Sequence, residues 1–168
     1  MRYSIQPATS TDVAFLAMAI DPGASDWGGG NENEQANRLL RTCASSTQVW
    51  AVRDRNGVPH ALWGVSPKDD DAEIGCMWLL AGEQLEGAPE DFRALSGMVL
   101  GEMFSQYVRL ENYVDAGKER ALELLRFVGF NIEPAKTVVG SEMVCHRVWM
   151  EAESNRSLLM VERPLYLN

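Results

Sequence analysis

The chain is poor in the residues that build metal centres and disulfide frameworks. It has three cysteines, Cys43, Cys76 and Cys145, two histidines, His60 and His146, and no Cys-x-x-Cys pair. An odd number of widely spaced cysteines argues against a disulfide framework, and so few histidines argue against a histidine-rich metal site. We therefore expect reduced thiols and no bound metal.

Long apolar runs are also missing. The first residues, MRYSIQPATSTD, lack the apolar core of a secretory signal. No run approaches the ~20 apolar residues that a membrane-spanning helix needs. Together with the cysteine usage, this pattern predicts a protein of a reducing, intracellular compartment that has no membrane partner.

Basic residues are the third shortage. Lysine and arginine number 15 against 24 aspartates and glutamates, which gives a net charge of −9 and an isoelectric point of about 4.7. Affinity for nucleic acids and anionic membranes rests mainly on Lys and Arg contacts with phosphate, so we expect no direct nucleic-acid binding. The 168 residues, 46% of them hydrophobic, are enough for the core of one soluble domain.

Two periodicities run along the chain and predict its secondary structure. Alternation of apolar and polar residues predicts strands at 2–8, 48–54, 60–65, 73–80, 110–115, 130–132 and 144–150. Spacings of three and four predict helices at 9–20, 31–44, from 86–89 to about 108, and 119–128. A hairpin turn is expected at Asn56-Gly57. This order predicts an α/β fold in which helices flank a mixed sheet.

The stretch ERALELLRFVGF, residues 119–130, predicts an amphipathic helix that stops abruptly. Its apolar stripe consists of Ala121, Leu122, Leu124, Leu125 and Val128. Gly129 is expected to end the helix in a left-handed conformation, and Phe130 is expected to begin the next strand.

This order of elements, with VDAGKERALELLRFVGF near its end, resembles the GNAT N-acetyltransferase superfamily. The segments LWGVSP, GCMWLLAGEQL, FRALSG and NYVDAGKERALELLRFVGF are similar to small GNAT-like proteins encoded among the virion genes of podovirus-type tailed phages, which include an internal virion protein family. The resemblance implies a GNAT-like domain at 1–152 and a C-terminal extension at 153–168.

In that superfamily, the pyrophosphate of acetyl-CoA binds backbone N–H groups at a helix N-terminus. The preceding turn has the pattern Arg/Gln-x-x-Gly-x-Gly/Ala. Here the corresponding segment is AGEQLEGAPEDF, which lacks Arg-x-x-Gly-x-Gly. Glu83, Glu86, Glu90 and Asp91 place negative charge where the pyrophosphate would bind, although carboxylates also favour a helix N-terminus in their own right. We therefore expect little phosphate binding and no cofactor.

Two further family features are changed. Many members carry an asparagine before the last helix, where this chain has Lys118, and a tyrosine general acid on that helix, where it has Leu125. Leucine has no titratable proton. If the protein is active, Tyr107 or Tyr113 are the candidate acids, although each is expected to pack its ring and bond its hydroxyl locally. If CoA binds, the candidate contacts are Leu79, Leu80, Gly82, Ala88 and Lys118.

A run of acids lies between two predicted strands. Asp69, Asp70, Asp71 and Glu73 fit no EF-hand spacing, so a solvated turn is the simpler interpretation. Cys76 lies within the apolar stretch EIGCMWLL and is interpreted as a small core residue.

The resemblance and its departures predict a vestigial, non-catalytic GNAT-like phage protein. It would act through protein contacts in virion assembly or as a virion component, in the host cytoplasm or in the particle, with phage structural proteins or its own copies as partners. The alternative is an active acetyl-CoA-dependent N-acyltransferase with an atypical CoA-binding loop. Candidate partner contacts are Trp27, Leu165, Tyr166 and Leu167, and the apolar tail that carries the last three either docks on its own domain or contacts a neighbouring subunit.

Overall fold

The structure, a computed structural model, describes most of the chain. The described residues are 2–19, 32–82, 85 and 87–152. Trp27 and the predicted extension 153–168, with Leu165, Tyr166 and Leu167, lie outside them. Their part in partner contacts stays a prediction.

The described elements follow the order that the sequence predicts, with one additional short strand. The helices are α1 (Ser10–Ala19), α2 (Glu32–Ser45), α3 (Pro89–Met103) and α4 (Glu119–Val128). The strands are β1 (Tyr3–Pro7), β2 (Gln48–Asp54), β3 (Pro59–Lys68), β4 (Asp71–Ala81), β5 (Arg109–Asp115), β6 (Asn131–Ile132), β7 (Lys136–Thr137) and β8 (Val144–Glu151).

The described strands form one mixed sheet. Its order is β1-β2-β3-β4-β5-β8-β6, and β7 also pairs with β8. All neighbours are antiparallel except β4 and β5, which run parallel. A parallel pair needs a crossover connection, and here α3 supplies it. The predicted α/β fold with a mixed sheet and flanking helices is confirmed.

Helices cover the sheet on both faces and enclose two apolar layers. The layer between the sheet and the pair α3 and α4 includes Trp63, Val65, Met77, Phe92, Leu95, Val99, Leu110, Leu122 and Leu125. The layer beneath α1 and α2 includes Val13, Leu16, Ala17, Leu39, Ala51, Leu62 and Leu80. Burial of these side chains is the main term that stabilises the fold.

Helix α4 ends as predicted. Gly129 has φ 112°, and its N–H donates to the Leu125 carbonyl oxygen at 3.1 Å. The Phe130 N–H donates to the same oxygen at 3.0 Å. Glycine is favoured here because other L-residues rarely adopt positive φ.

The predicted hairpin at Asn56-Gly57 is also confirmed. Gly57 has φ 81°, its N–H donates to the Asp54 carbonyl oxygen, and the Asp54 N–H donates to the Val58 carbonyl oxygen. These bonds join β2 to β3.

Two features differ from the sequence prediction. Helix α3 ends at Met103 rather than near Val108, because the Val108 N–H donates to the Glu73 carbonyl oxygen and so starts the pairing of β5 with β4. The two-residue strand β7 was not predicted, since Lys136 and Thr137 are exposed and carry no apolar alternation.

None of the helices in the described part of the chain is long and apolar enough to cross a membrane.

Candidate functional site

The parallel strands β4 and β5 separate halfway along their length. Their register covers only residues 74–76 of β4 and 109–111 of β5. Beyond these pairs, residues 77–81 and 112–115 have no register with each other. We call the gap between these two ranges the wedge.

Within the described part of the chain, the edge of β4 that faces the wedge has backbone groups that pair with no strand. The carbonyl oxygens of Glu73 and Met77 both face β5. The first accepts from the N–H of Val108, just before β5, at 3.0 Å, and the second accepts from the side chain of Asn112 in β5 at 2.6 Å. Backbone groups alternate in direction along a strand, so those of Leu79 and Ala81 face the same way. Since the register with β5 stops before them, this edge of β4 has no strand partner among the described residues.

The side chain of Asn112 bridges the base of the wedge. Its Nδ2 donates to the Met77 carbonyl oxygen at 2.6 Å, and its Oδ1 accepts from the Tyr113 N–H at 2.7 Å. The amide therefore takes the place of a backbone partner at the point where the strands part. It satisfies Met77 and leaves the edge beyond it open.

Helix α3 begins at the same end of the sheet, just after β4. Its first residue, Pro89, has no N–H, and the Ala88 N–H donates to the Leu85 carbonyl oxygen at 3.0 Å. The amides of Glu90 and Asp91 remain in the first turn, but both side chains are acidic. An anion at this helix end would gain from the helix dipole and lose from two nearby carboxylates.

The turn before α3 retains part of the family phosphate pattern. Gln84-x-x-Gly87 fits the first half of Arg/Gln-x-x-Gly-x-Gly/Ala, and Pro89 stands where glycine or alanine is expected. This partial match is visible in the sequence once glutamine is allowed at the first position. The side chain of Gln84 lies outside the described residues.

Helix α4 also starts at this end of the sheet. Lys118 directly precedes it and lacks a side-chain capping bond. Leu125, which the resemblance aligns with the position of a general acid, is buried in the apolar layer beneath α3 and α4. It supplies packing and no proton.

A cleft of about 340 Å³ lies between α3 and α4. It is lined by Pro89, Arg120, Glu123, Leu124 and Phe127. The Arg93 guanidinium carbon lies 5.4 Å from the centre of the Phe127 ring, within cation–π range. The cleft offers an aromatic face with one acid and two arginines around it.

On the opposite face of the sheet, a network of charges surrounds a buried carboxylate. Glu111 accepts from Lys68 Nζ at 2.8 Å and from Arg147 Nη2 at 2.7 Å, with Arg109 Nε at 3.4 Å. Burial alone would raise the pKa of Glu111, but the bonds from Lys68 and Arg147 outweigh burial and hold the pKa below its usual value. We call these four residues the Glu111 network. A carboxylate so held is a poor proton acceptor.

Cys76 lies opposite Glu111 in the last β4–β5 pair before the strands part. Burial, and next the charge of Glu111, raise the pKa of its thiol, so it is held protonated and is a poor nucleophile. The thiol is partly exposed, which differs slightly from the core position expected from the sequence.

The two candidate tyrosines lie apart from each other. Tyr107 is buried, and its hydroxyl lies 3.1 Å from Thr47 Oγ1. A Cβ at Gly75 would lie 2.9 Å from its ring, which places Tyr107 beside the paired half of β4. Tyr113 is 61% exposed on the diverging half of β5, opposite Arg147 in the β8 register. Of the two, Tyr113 is nearer the wedge in sequence and in register.

The candidate CoA contacts also fall into two groups. Leu79, Ala88 and Lys118 lie at the end of the sheet where the wedge opens. Leu80 is buried beneath α1 and α2, and the Gly82 N–H is already used by the His60 carbonyl oxygen at 2.8 Å. The amide of Gly82 is therefore not directed at a ligand in the wedge.

The sequence reasoning did not single out Asn112 or Glu111. Asn112 alternates with Leu110 and Val114, which pack into the layer beneath α3 and α4. A polar residue within an apolar alternation is the signal that could have marked it. Glu111 carried no comparable signal, because charged residues on the other face of a strand normally indicate solvent exposure.

No protein-family model matches the chain, and no curated protein matches it. Comparison with solved structures does give matches. Spermidine N-acetyltransferase from Vibrio cholerae, in complex with CoA and spermine, is 11% identical with a TM-score of 0.70, covering 92% of this chain and 98% of that one. An aminoglycoside acetyltransferase in complex with coenzyme A is 11% identical with a TM-score of 0.69, at the same coverages.

A GNAT-family acetyltransferase from Streptococcus pneumoniae is also similar. It is 15% identical with a TM-score of 0.58, covering 89% of this chain and 98% of that chain. At these identities the likeness concerns the fold, which is that of the GNAT acetyltransferases. The fold part of the resemblance is confirmed.

The site residues fit acetyl-CoA only in part. The open edge of β4 is suited to an extended chain with amide groups, such as the pantetheine arm, because it presents both N–H donors and C=O acceptors. The start of α3 does not suit a pyrophosphate, since Pro89 removes a donor and Glu90 and Asp91 add negative charge.

Proposed function

We propose that this protein is a vestigial, non-catalytic GNAT-fold protein that acts through protein contacts as a component or assembly factor of a phage virion. The acidic first turn of α3 carries the proposal, because it opposes a pyrophosphate at the helix end where the fold would place one. Leu125 supports it, since the family's acid is replaced by a core residue. The phage context rests on the sequence resemblance.

An apolar hairpin beside the wedge supports the contact role. In the turn between β7 and β8 and at the start of β8, Val139 is fully exposed, and Val138, Met143 and Val144 are each more than a third exposed. The Ala116 N–H donates to the Val144 carbonyl oxygen at 2.9 Å, which fixes the hairpin next to the end of β5. Clustered exposed apolar side chains favour a protein contact.

Titration calorimetry of the full chain with acetyl-CoA tests the proposal. We expect no binding heat at micromolar concentrations, because the first turn of α3 repels the pyrophosphate. The matched variant E90Q/D91N removes both charges and keeps the side-chain sizes. Micromolar binding to the unmodified chain would overturn the proposal.

The alternative is an acetyl-CoA-dependent N-acyltransferase with an atypical CoA-binding loop. The open edge of β4 and the cleft with Arg120 and Phe127 favour it. Two of the structures with this fold contain CoA by their own descriptions. A thiol-release assay with acetyl-CoA and a panel of primary amines distinguishes the two functions. Continuous release of CoA thiol that depends on the amine would establish the alternative.

A further inference from the structure

The wedge leaves part of β4 ready to accept another strand. Residues 77–81 pair with β3 on one side and lose β5 on the other. At about 3.3 Å per residue this edge is roughly 16 Å long, which accommodates four to five residues of an extended chain. Extended peptides bind such edges by adding a strand, with main-chain hydrogen bonds supplying affinity.

The surroundings of this edge define the side chains that a bound strand would carry. Leu79, Ala81 and Val114 are partly buried and pack against the core, so they offer apolar contacts within the wedge. Side chains alternate across a strand, so one set of the bound strand's side chains meets this apolar surface.

The charge of the residues around the wedge determines which charge a bound strand should carry. In the first turn of α3, Glu90 and Asp91 place two negative charges at this end of the sheet. At the start of α4, Lys118 and Arg120 alternate with Glu119 and Glu123 and contribute no net charge. The whole chain has a net charge of −9. A cationic segment is therefore attracted to this end of the sheet.

We propose that the wedge binds an extended peptide segment of a partner protein, with alternating apolar and basic residues, as an added strand on β4. The proposal rests on the proposed contact function and gives that function a site and a partner chemistry. Asn112 donates to the Met77 carbonyl oxygen just beyond the last β4–β5 pair, and no described strand pairs with β4 on this side from Leu79 onward.

Fluorescence anisotropy of the full chain with a labelled six-residue peptide of alternating valine and lysine tests the site. Two matched peptides serve as controls, one with alternate backbone amides N-methylated and one with glutamate in place of lysine. We expect each control to bind at least about tenfold more weakly, through lost main-chain bonds or charge repulsion. Equal binding of the N-methylated peptide would overturn strand addition.

Charge variants locate the site on the protein. E90K/D91K should weaken binding of the lysine peptide about tenfold, as expected for two reversed surface charges. D69K/D70K reverses two charges in the turn between β3 and β4, at the opposite end of β4, and should change affinity less than about twofold. Equal effects of the two variants would overturn the assignment to the wedge.

Calorimetry with acetyl-CoA on the same preparation separates this inference from the proposed function. If neither the peptide nor acetyl-CoA binds, the inference is overturned and the non-enzymatic function stands. If acetyl-CoA binds and displaces the peptide, the wedge is upheld as the peptide site and the non-enzymatic function is overturned.

Discussion

Among the described residues, Asp12 and Glu111 are the charged side chains that are buried, and each is held by arginine. Asp12 receives two hydrogen bonds from the Arg53 guanidinium and two from Thr9, through its N–H and its hydroxyl. Thr9 and Asp12 also form a reciprocal cap, because the Asp12 N–H donates to Thr9 Oγ1. This cap fixes the start of α1 against β2.

The pH dependence of stability follows from Asp12. The hydrogen bonds from Arg53 are the largest cause that lowers the Asp12 pKa from 3.8 to about 2, against the opposing effect of burial. Because the folded pKa lies below the unfolded value, the ionised pair stabilises the fold fully above about pH 4, and this stabilisation is lost as the pH falls toward 2. D12N should lower the free energy of unfolding at pH 7 by about 2 kcal/mol, as measured by urea denaturation. The same loss at pH 2 as at pH 7 would contradict this origin.

Glu111 gives the second residue-scale prediction. E111Q leaves Lys68, Arg109 and Arg147 close together without their shared carboxylate, so the free energy of unfolding should fall by about 3 kcal/mol. The control is E151Q, since the Glu151 carboxylate lies 3.5 Å from Arg109 but is half exposed. That change should cost less than about 1 kcal/mol in the same urea denaturation experiment. Equal costs would show that burial of Glu111 contributes nothing.

At the scale of elements, a glycine that ends a helix and a glycine inside a helix respond oppositely to substitution by alanine. Gly129 holds a positive φ after α4, so G129A should destabilise the fold by about 1 kcal/mol. Gly101 lies within α3, and a Cβ there would meet nothing within 4 Å, so G101A should stabilise by up to about 1 kcal/mol. Thermal unfolding of both variants checks the pair, and changes of the same sign would refute it.

The elements themselves could largely be predicted from local sequence. Helix α4 follows from its apolar spacing and from Gly129, which both act within a few residues. The end of α3 could not be predicted, because Tyr107 continues the apolar spacing four residues after Met103. What stops the helix is a bond from Val108 to Glu73, which are distant in sequence. Local patterns hold no information about that bond.

The candidate site was predicted less completely, for the same physical reason. The bridge from Asn112 to the Met77 carbonyl oxygen joins residues 35 positions apart. The position of the wedge depends on where β4 and β5 part. Packing on both faces of the sheet determines that point. By contrast, Glu90 and Asp91 were visible in the sequence and lie in the first turn of α3, whereas Glu83 and Glu86 lie outside the described residues.

At the scale of the whole molecule, the wedge, the starts of α3 and α4 and the apolar hairpin lie at one end of the sheet. The Glu111 network lies at the base of the wedge, where β4 and β5 are still paired. The Glu111 network and Asn112 connect β4 and β5 at the base of the wedge. Glu90 and Asp91, in the first turn of α3, place negative charge at the other end of the wedge. The molecule therefore combines a cross-linked base with an end that carries Glu90 and Asp91.

The segment 153–168 gives the last prediction, at this same scale. The Ala152 N–H donates to the Val108 carbonyl oxygen at 3.1 Å, and the described apolar layers are built from residues before it. If the segment contacts partners, deleting 154–168 should change the free energy of unfolding by less than about 0.5 kcal/mol. It should also reduce self-association or partner binding, measured by sedimentation velocity.

The variant L165S/Y166S/L167S should match the deletion, because it removes the apolar contacts and keeps the chain length. A stability loss above about 2 kcal/mol in both variants would show instead that the segment packs on its own domain.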